Sequence, residues 1–296
     1  MINTYDLKIS QPDYFKQLAV RDMLYLYYKC PQVEDKVNLY THYNEIIFTL
    51  AGNKLINHRE KTWLSSKDTS LFVKRTAYHQ KLYPQSNEWE VIAFYFKDNF
   101  MQDVFKTYRA SLPLNNLPPP PPDMLIEIDV NEATKSFYYS TLPYFSQQQP
   151  PSEQLLEFKF RELLFIIFSN PANKNLLSYV NSISDQLKPS LHEIMEANFS
   201  FNLTLEEYAR IAQRSLATFK REFEELYHTT PGKWLAEKRL NYAKHLLETS
   251  AKNVNEIAYD SGYENISHFS RVFKEKFGMA PLQYRKQNSV TLKTAL

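Results

Sequence analysis

The apolar positions between Asn253 and Tyr284 fall into two helical runs. Val254, Ile257 and Ala258 recur at helical spacing and stop at Gly262; Phe269, Val272, Phe273 and Phe277 recur at three and four and stop at Gly278. Such spacing puts each set on one helix face, and a glycine at each exit accepts a left-handed backbone without a Cβ clash. Asn253 and Asn265 stand where N-caps are expected. The connection Ser261-Gly262-Tyr263-Glu264 is too short to separate the helices, so the pair reads as a helix-turn-helix.

The pattern has a partial copy upstream. Phe219, Arg221, Phe223, Tyr227 and Pro231 match Phe269, Arg271, Phe273, Phe277 and Pro281 at one constant offset. Leu205, Glu207, Tyr208 and Ala209 match Val254, Glu256, Ile257 and Ala258 at an offset one residue shorter, so the second turn is one residue longer. Two copies are too few for a solenoid; they predict two helix-turn-helix units in tandem, joined by a helix from Pro231 to Thr249.

The first half reads differently. From Met23 to Phe96, short runs such as Leu24/Leu26/Tyr28, Ile46–Leu50, Trp63-Leu64, Leu71–Val73 and Val91–Phe96 alternate with polar turns. They predict a small antiparallel barrel or jelly roll, with a hairpin turning at Gly52. Its many large side chains, Tyr25, Phe48, Trp63, Phe72, Tyr78 and Phe94 among them, can fill such a barrel or equally line an aromatic pocket. Met101, Val104, Phe105 and Tyr108 mark a helix with Asp98 as its N-cap, and Pro118–Pro122 imposes a stiff extended spacer. Leu155–Phe168 is apolar over most of its circumference, so it is buried, either in its own domain or against a second subunit. Another helix spans Asn173 to Gln186. The resulting fold class is α+β with two domains: a β-barrel or jelly roll plus helices over 1–185 (strands 20–97, helices 98–185), and an all-α tandem helix-turn-helix domain over 186–287 (units 204–227 and 253–277). Residues 288–296 read as a flexible tail.

Charge adds little at the level of the whole chain. The net charge of +2 over 296 residues gives no global basic field, so attraction to nucleic acid must come from local groups such as Lys220-Arg221 and Arg271 with Lys274 and Lys276. A single cysteine, Cys30, excludes a disulfide framework and a cysteine metal site. MINTYDLKIS lacks the pattern of a signal peptide, and no apolar run approaches a membrane span, which fits a cytoplasmic protein. His42, His58 and His79 show no His-x-His pattern, and no phosphate loop, HExxH or GxSxG occurs. No catalytic residue, metal or cofactor is expected.

The run from Leu205 to Tyr284 resembles the DNA-binding domain of the AraC/XylS family of transcription regulators. The resemblance rests on Ile257-Ala258, Gly262-Tyr263, His268–Lys274, Phe277-Gly278, Pro281 and Tyr284, with Arg239-Leu240, Ala243 and Leu246-Leu247 on the joining helix. One position departs from it: Gln213 stands where the family usually turns on glycine, and a glutamine held at positive φ costs on the order of 1 kcal/mol, so a strained or reshaped first turn is expected. The order of segments before it, including Asp68 to His79, resembles the cupin-like N-terminal domain of such regulators. Lys159, Glu162-Leu163-Leu164 and Pro171 resemble the type III secretion activators within the family, a resemblance that implies a filled barrel. The resemblance implies a sequence-specific DNA-binding regulator, an activator, that reads two successive major-groove segments per subunit. Ala217, Thr218, Lys220 and Arg221 would face DNA from the first unit, and Ile266, Ser267, His268 and Arg271 from the second. The arginines can bond guanine in bidentate fashion, while Phe219, Phe223, Phe269 and Phe273 take the inner face. Dimerisation is expected through Leu156, Leu163 and Ile167. The implied partners are double-stranded DNA, RNA polymerase, a second copy of the chain, and a small-molecule effector or regulatory protein; no membrane is among them. Two other readings remain open here, a cupin-type enzyme and an interaction module with degenerate helix-turn-helix units.

Overall fold

The computed structural model describes residues 1–31, 36–84 and 88–288. They form two units, one ending at Lys188 and one beginning at Pro189.

The first unit opens with β1 (Ile2–Asn3), α1 (Thr4–Ser10) and β2 (Lys16–Val20), before the first strand that the alternation marks. Then come β3 (Met23–Pro31), β4 (Lys36–Tyr40), β5 (Asn44–Gly52), β6 (Lys54–His58), β7 (Lys61–Ser65), β8 (Ser70–Val73), β9 (Ala77–Leu82) and β10 (Glu88–Phe96). After α2 (Asp98–Tyr108) the chain returns with β11 (Leu125–Ile128) and closes with α3 (Glu132–Thr141), α4 (Glu153–Ser169) and α5 (Lys174–Ile183). The strands form two sheets, β1-β4-β9-β6-β7 and β11-β8-β5-β10-β3-β2, antiparallel except for the β1–β4 pair.

Gly52 does not turn a hairpin. β5 and β6 belong to different sheets, so the chain crosses between sheets there. At φ +74, a Cβ on Gly52 would lie 1.9 Å from the Glu88 carbonyl oxygen. Only glycine lets β5 pass so close to the start of β10. Asp98 is not an N-cap either. Lys97 holds that position, while the Asp98 carboxylate takes Arg75 at 2.6 Å and Asn44 at 2.6 Å. The proline run lies against its own unit: Lys74 Nζ donates to Pro121 O at 3.0 Å and Ser178 Oγ to Pro118 O at 2.5 Å.

Alternation divides the aromatic side chains between the faces of the six-stranded sheet. Tyr25, Phe48, Phe72, Phe94 and Phe96 pack on helices α2 to α5. The Phe160 ring of α4 stands 5.5 Å from Phe94 and 4.9 Å from Phe96, and the Tyr25 hydroxyl donates to Leu156 O at 2.6 Å. This settles where the apolar surface of α4 goes. Leu156, Leu163 and Ile167, expected at a subunit contact, are 2%, 0% and 0% exposed inside this core. A six-stranded sheet with one aromatic face needs a nearly all-apolar helix over it, and that demand consumes these side chains.

The second unit begins with α6 (Leu191–Asn198), capped by Ser190, which the sequence reading passed over although Leu191, Ile194 and Met195 carry helical spacing. Next come α7 (Leu205–Ile211), α8 (Leu216–Tyr227), α9 (Pro231–Thr249), α10 (Val254–Asp260), α11 (Ile266–Phe277) and α12 (Pro281–Asn288). Asn288, read as the start of a tail, completes α12; the rest of that stretch, 289–296, lies outside the described residues.

Candidate nucleic-acid interface

Each pair of short helices is set by its caps. Thr204 and Asn253 close reciprocal capping boxes with Glu207 and Glu256 at the starts of α7 and α10. Ser215 and Asn265 cap α8 and α11 by accepting from the backbone N–H of Thr218 and His268. Between the helices run Ala212–Ser215 in the first unit and Ser261–Asn265 in the second, one residue longer. Both turns pass through a left-handed residue, Gln213 at φ 54 and Gly262 at φ 83.

The linking helix α9 serves both units. Its first half meets α8 through Trp234, 5.9 Å from Phe223 and 5.2 Å from Tyr227. Its second half supplies Leu240, Ala243, Leu246 and Leu247 to a cluster with Ile257, Ala258, Phe269 and Phe273. Midway, Arg239 donates from Nε to Phe199 O and from Nη2 to Phe201 O, both at 2.7 Å, tying the loop before α7 to the linker. Gly262 packs on that guanidinium: a Cβ there would sit 2.9 Å from Arg239 Nε and 3.1 Å from Ser200 O. At the far end, the Tyr284 hydroxyl donates to Glu248 at 2.6 Å; burial, then the carboxylate, push its phenol up to about 12.

With the inner faces so occupied, the outer faces of α8 and α11 are left to solvent. Phe219, Phe223, Phe269 and Phe273 are fully buried. Ala217, Lys220, Arg221, Ser267, His268 and Arg271 are exposed, and Thr218 and Ile266 half-buried at the rim. All eight residues anticipated at DNA thus fall on two surface stripes at the starts of equivalent helices. Sequence reasoning missed what holds the arginines. Arg271 Nη1 lies 2.8 Å from Glu275 Oε1, and Arg221 Nε 3.8 Å from Glu225 Oε1, both at i,i+4. The spacing alone could have found both pairs. The helices differ in charge: α8 carries two basic residues against three acidic ones, α11 three against one.

Known proteins match both units. A family described as the ExsA N-terminal regulatory domain matches residues 44–179, and a helix-turn-helix domain family matches 208–287. The chain is similar to ExsA, an HTH-type transcriptional regulator of Pseudomonas aeruginosa, at 22% identity over 92% of this chain and 95% of ExsA. It is 28% identical to VirF of Yersinia enterocolitica, a virulence regulon transcriptional activator, over 44% of this chain and 48% of VirF. Among solved structures, ToxT from Vibrio cholerae aligns over 91% of this chain and 100% of its own, at 14% identity and a TM-score of 0.42. The chain is a DNA-binding transcription regulator of the AraC/XylS family, and it carries the ExsA type of N-terminal regulatory domain.

Proposed function

We infer that the protein activates transcription by laying α8 and α11 of one subunit into successive major-groove segments of double-stranded DNA. In this reading Arg221 and Arg271 bond guanine edges, Thr218, Ser267 and His268 meet neighbouring base edges, Ala217 and Ile266 supply apolar contacts, and Lys220 meets phosphate. The observation that carries it is the repetition of the exposed stripe at one constant offset, over phenylalanines buried at the same offset. A single functional reader would not require both copies of that face. The second unit, within 186–287, reads DNA, and the first, within 1–185, regulates it. The protein acts in the cytoplasm beside RNA polymerase, and its input is a small-molecule effector or a regulatory protein.

Footprinting of the full chain on operators located by genome-wide occupancy tests this. The expected result is two protected major-groove segments per subunit, roughly 34 Å apart. A single protected segment would sink the two-reader mechanism.

A second copy of the chain belongs to the same reading, but not through Leu156, Leu163 or Ile167. The exposed apolar positions of α4 are Leu155 and Phe158, the latter 66% exposed. Phe158→Glu should give a folded monomer by sedimentation, while Leu163→Glu should unfold the first unit. An unaltered chain already monomeric at high micromolar concentration removes this contact.

A further inference from the structure

Between the two sheets, the interior is not uniformly apolar. Glu45, at the start of β5, is wholly buried. Around its carboxylate stand three tyrosines from three strands, Tyr28 of β3, Tyr78 of β9 and Tyr95 of β10, all buried. The Tyr78 hydroxyl donates to Glu45 Oε2 at 3.4 Å. Burial above all, and then the Glu45 carboxylate, hold all three phenols well above their ordinary values.

The group facing that charge comes from outside the sandwich. Lys8, on the seven-residue α1, places Nζ 3.2 Å from Glu45 Oε1 and 2.6 Å from the Tyr95 hydroxyl oxygen. The same nitrogen lies 4.7 Å from the Tyr28 ring centroid and 4.8 Å from that of Tyr95. Tyr95 meets the ammonium group through its hydroxyl oxygen, and the carboxylate and the Tyr28 ring add charge pairing and cation–π attraction, the combination that recognises ammonium groups. A structural core has little need of it: a buried ion pair is commonly no more stabilising than apolar side chains of similar volume. A seven-residue helix is too short to persist by itself, so α1 depends on its packing. Its anchors include a two-residue strand pairing with β4, the Asn3 cap, the Asn3–His42 contact at 3.0 Å, the Tyr5 ring stacked on Tyr43 and edge-on to Tyr95, and the Gln17 side-chain amide donating to Lys8 O.

We propose that Glu45, Tyr28, Tyr78 and Tyr95 form an ammonium-binding cage inside the sandwich, which Lys8 fills in this structure and which a free primary alkylammonium ion takes when Lys8 is removed. The N-terminal helix is then the internal occupant of a ligand site whose chemistry selects amines over anions, sugars and neutral lipids. This is independent of how the second unit reads DNA.

The test is chemical rescue in the full chain. Lys8→Ala deletes the equivalent of propylammonium. The variant should melt several degrees below the unaltered protein, and propylammonium chloride should restore the loss saturably. Sodium chloride at equal ionic strength and 1-propanol should not, and the unaltered protein should not respond. Glu45→Gln in the Lys8→Ala background leaves no unpaired buried charge, and it should lose the response to propylammonium. If Lys8→Ala does not fold, the recovery of folded protein on refolding with propylammonium against sodium chloride reads the same quantity. The cage is overturned if propylammonium acts no more than sodium chloride or 1-propanol, or if the Glu45→Gln double variant responds as strongly as Lys8→Ala. The second outcome would mean that a cavity is filled without recognition of charge.

Discussion

The two helix-turn-helix units share their caps, their buried phenylalanines and an exposed face, yet differ at both positions where the backbone turns left-handed. The second unit has glycine at each, Gly262 at φ 83 and Gly278 at φ 79. The first has Gln213 at φ 54 and His228 at φ 53. A residue with a Cβ costs about 1–2 kcal/mol in that conformation, so the first unit carries strain that the second avoids. Charge runs the same way, since α8 is net acidic and α11 net basic. The second unit is the better-formed and more cationic reader. The first holds its geometry through compensating contacts. Arg214, next to the strained turn, bonds Glu222 of α8, Pro189 O and Ala212 O. Duplication of a fold therefore does not imply equal division of stability or affinity.

The largest effect expected from this contrast is at Gly262. Gly262→Ala adds φ strain to a Cβ pressed on Arg239 Nε and Ser200 O. Arg239 cannot easily yield, because both its bonds to the Phe199 and Phe201 carbonyls would stretch. The expected loss is about 2–3 kcal/mol in urea unfolding of the second unit. Gly278→Ala, with nothing within 4 Å of the added Cβ, should lose only the strain. Equal losses at the two sites would remove the role given to the Arg239 contact.

On DNA, Arg271→Ala should cost about 1–3 kcal/mol on the specific site and little on random sequence. Arg221→Ala should cost less, because Glu222, Glu224 and Glu225 on its own helix weaken the approach of that face to phosphate. Titrations on specific and random duplexes at one salt concentration measure both. If Arg271→Ala weakens the two duplexes equally, Arg271 contacts phosphate only. If Arg221→Ala costs as much as Arg271→Ala, the charge asymmetry between the helices has no bearing on readout.

Much of the second unit was legible because its signals are local. Asn253, Asn265 and the two glycines punctuate the helices, and the phenylalanine repeat sets their faces. The strain at Gln213 was visible from the missing turn glycine alone. His228 was open to the same inference by its offset from Gly278, and was missed. The first unit was less legible because its decisive features are not local. Whether β5 and β6 pair or separate at Gly52 depends on where β10 lies, thirty-odd residues on. Whether α4 packs on its own sheet or on a second subunit depends on the aromatic face of a sheet whose strands run from Lys16 to Ile128. The cage around Lys8 joins residues from position 8 to position 95, and no short pattern marks it.

The smallest effect tests whether the strain in the first helix-turn-helix is real. Gln213→Gly and His228→Gly each remove a left-handed residue with a Cβ, a gain of about 1–2 kcal/mol. Glycine also frees the unfolded chain, which returns about 0.5–1 kcal/mol of that gain. The net expectation is a stabilisation of up to about 1 kcal/mol at each site. Neither change removes a backbone bond: Gln213 N–H donates to Arg210 O and His228 N–H to Glu224 O, and both remain with glycine. Amide exchange of α7 to α9 in the full chain reads the effect where it arises, and it should slow in both variants. Since the sites lie at opposite ends of α8, the gains should add in the double variant. Faster exchange in either single variant would mean that the side chain does more for the turn than its backbone strain costs. Arg214 would then be only part of what holds the first unit in place.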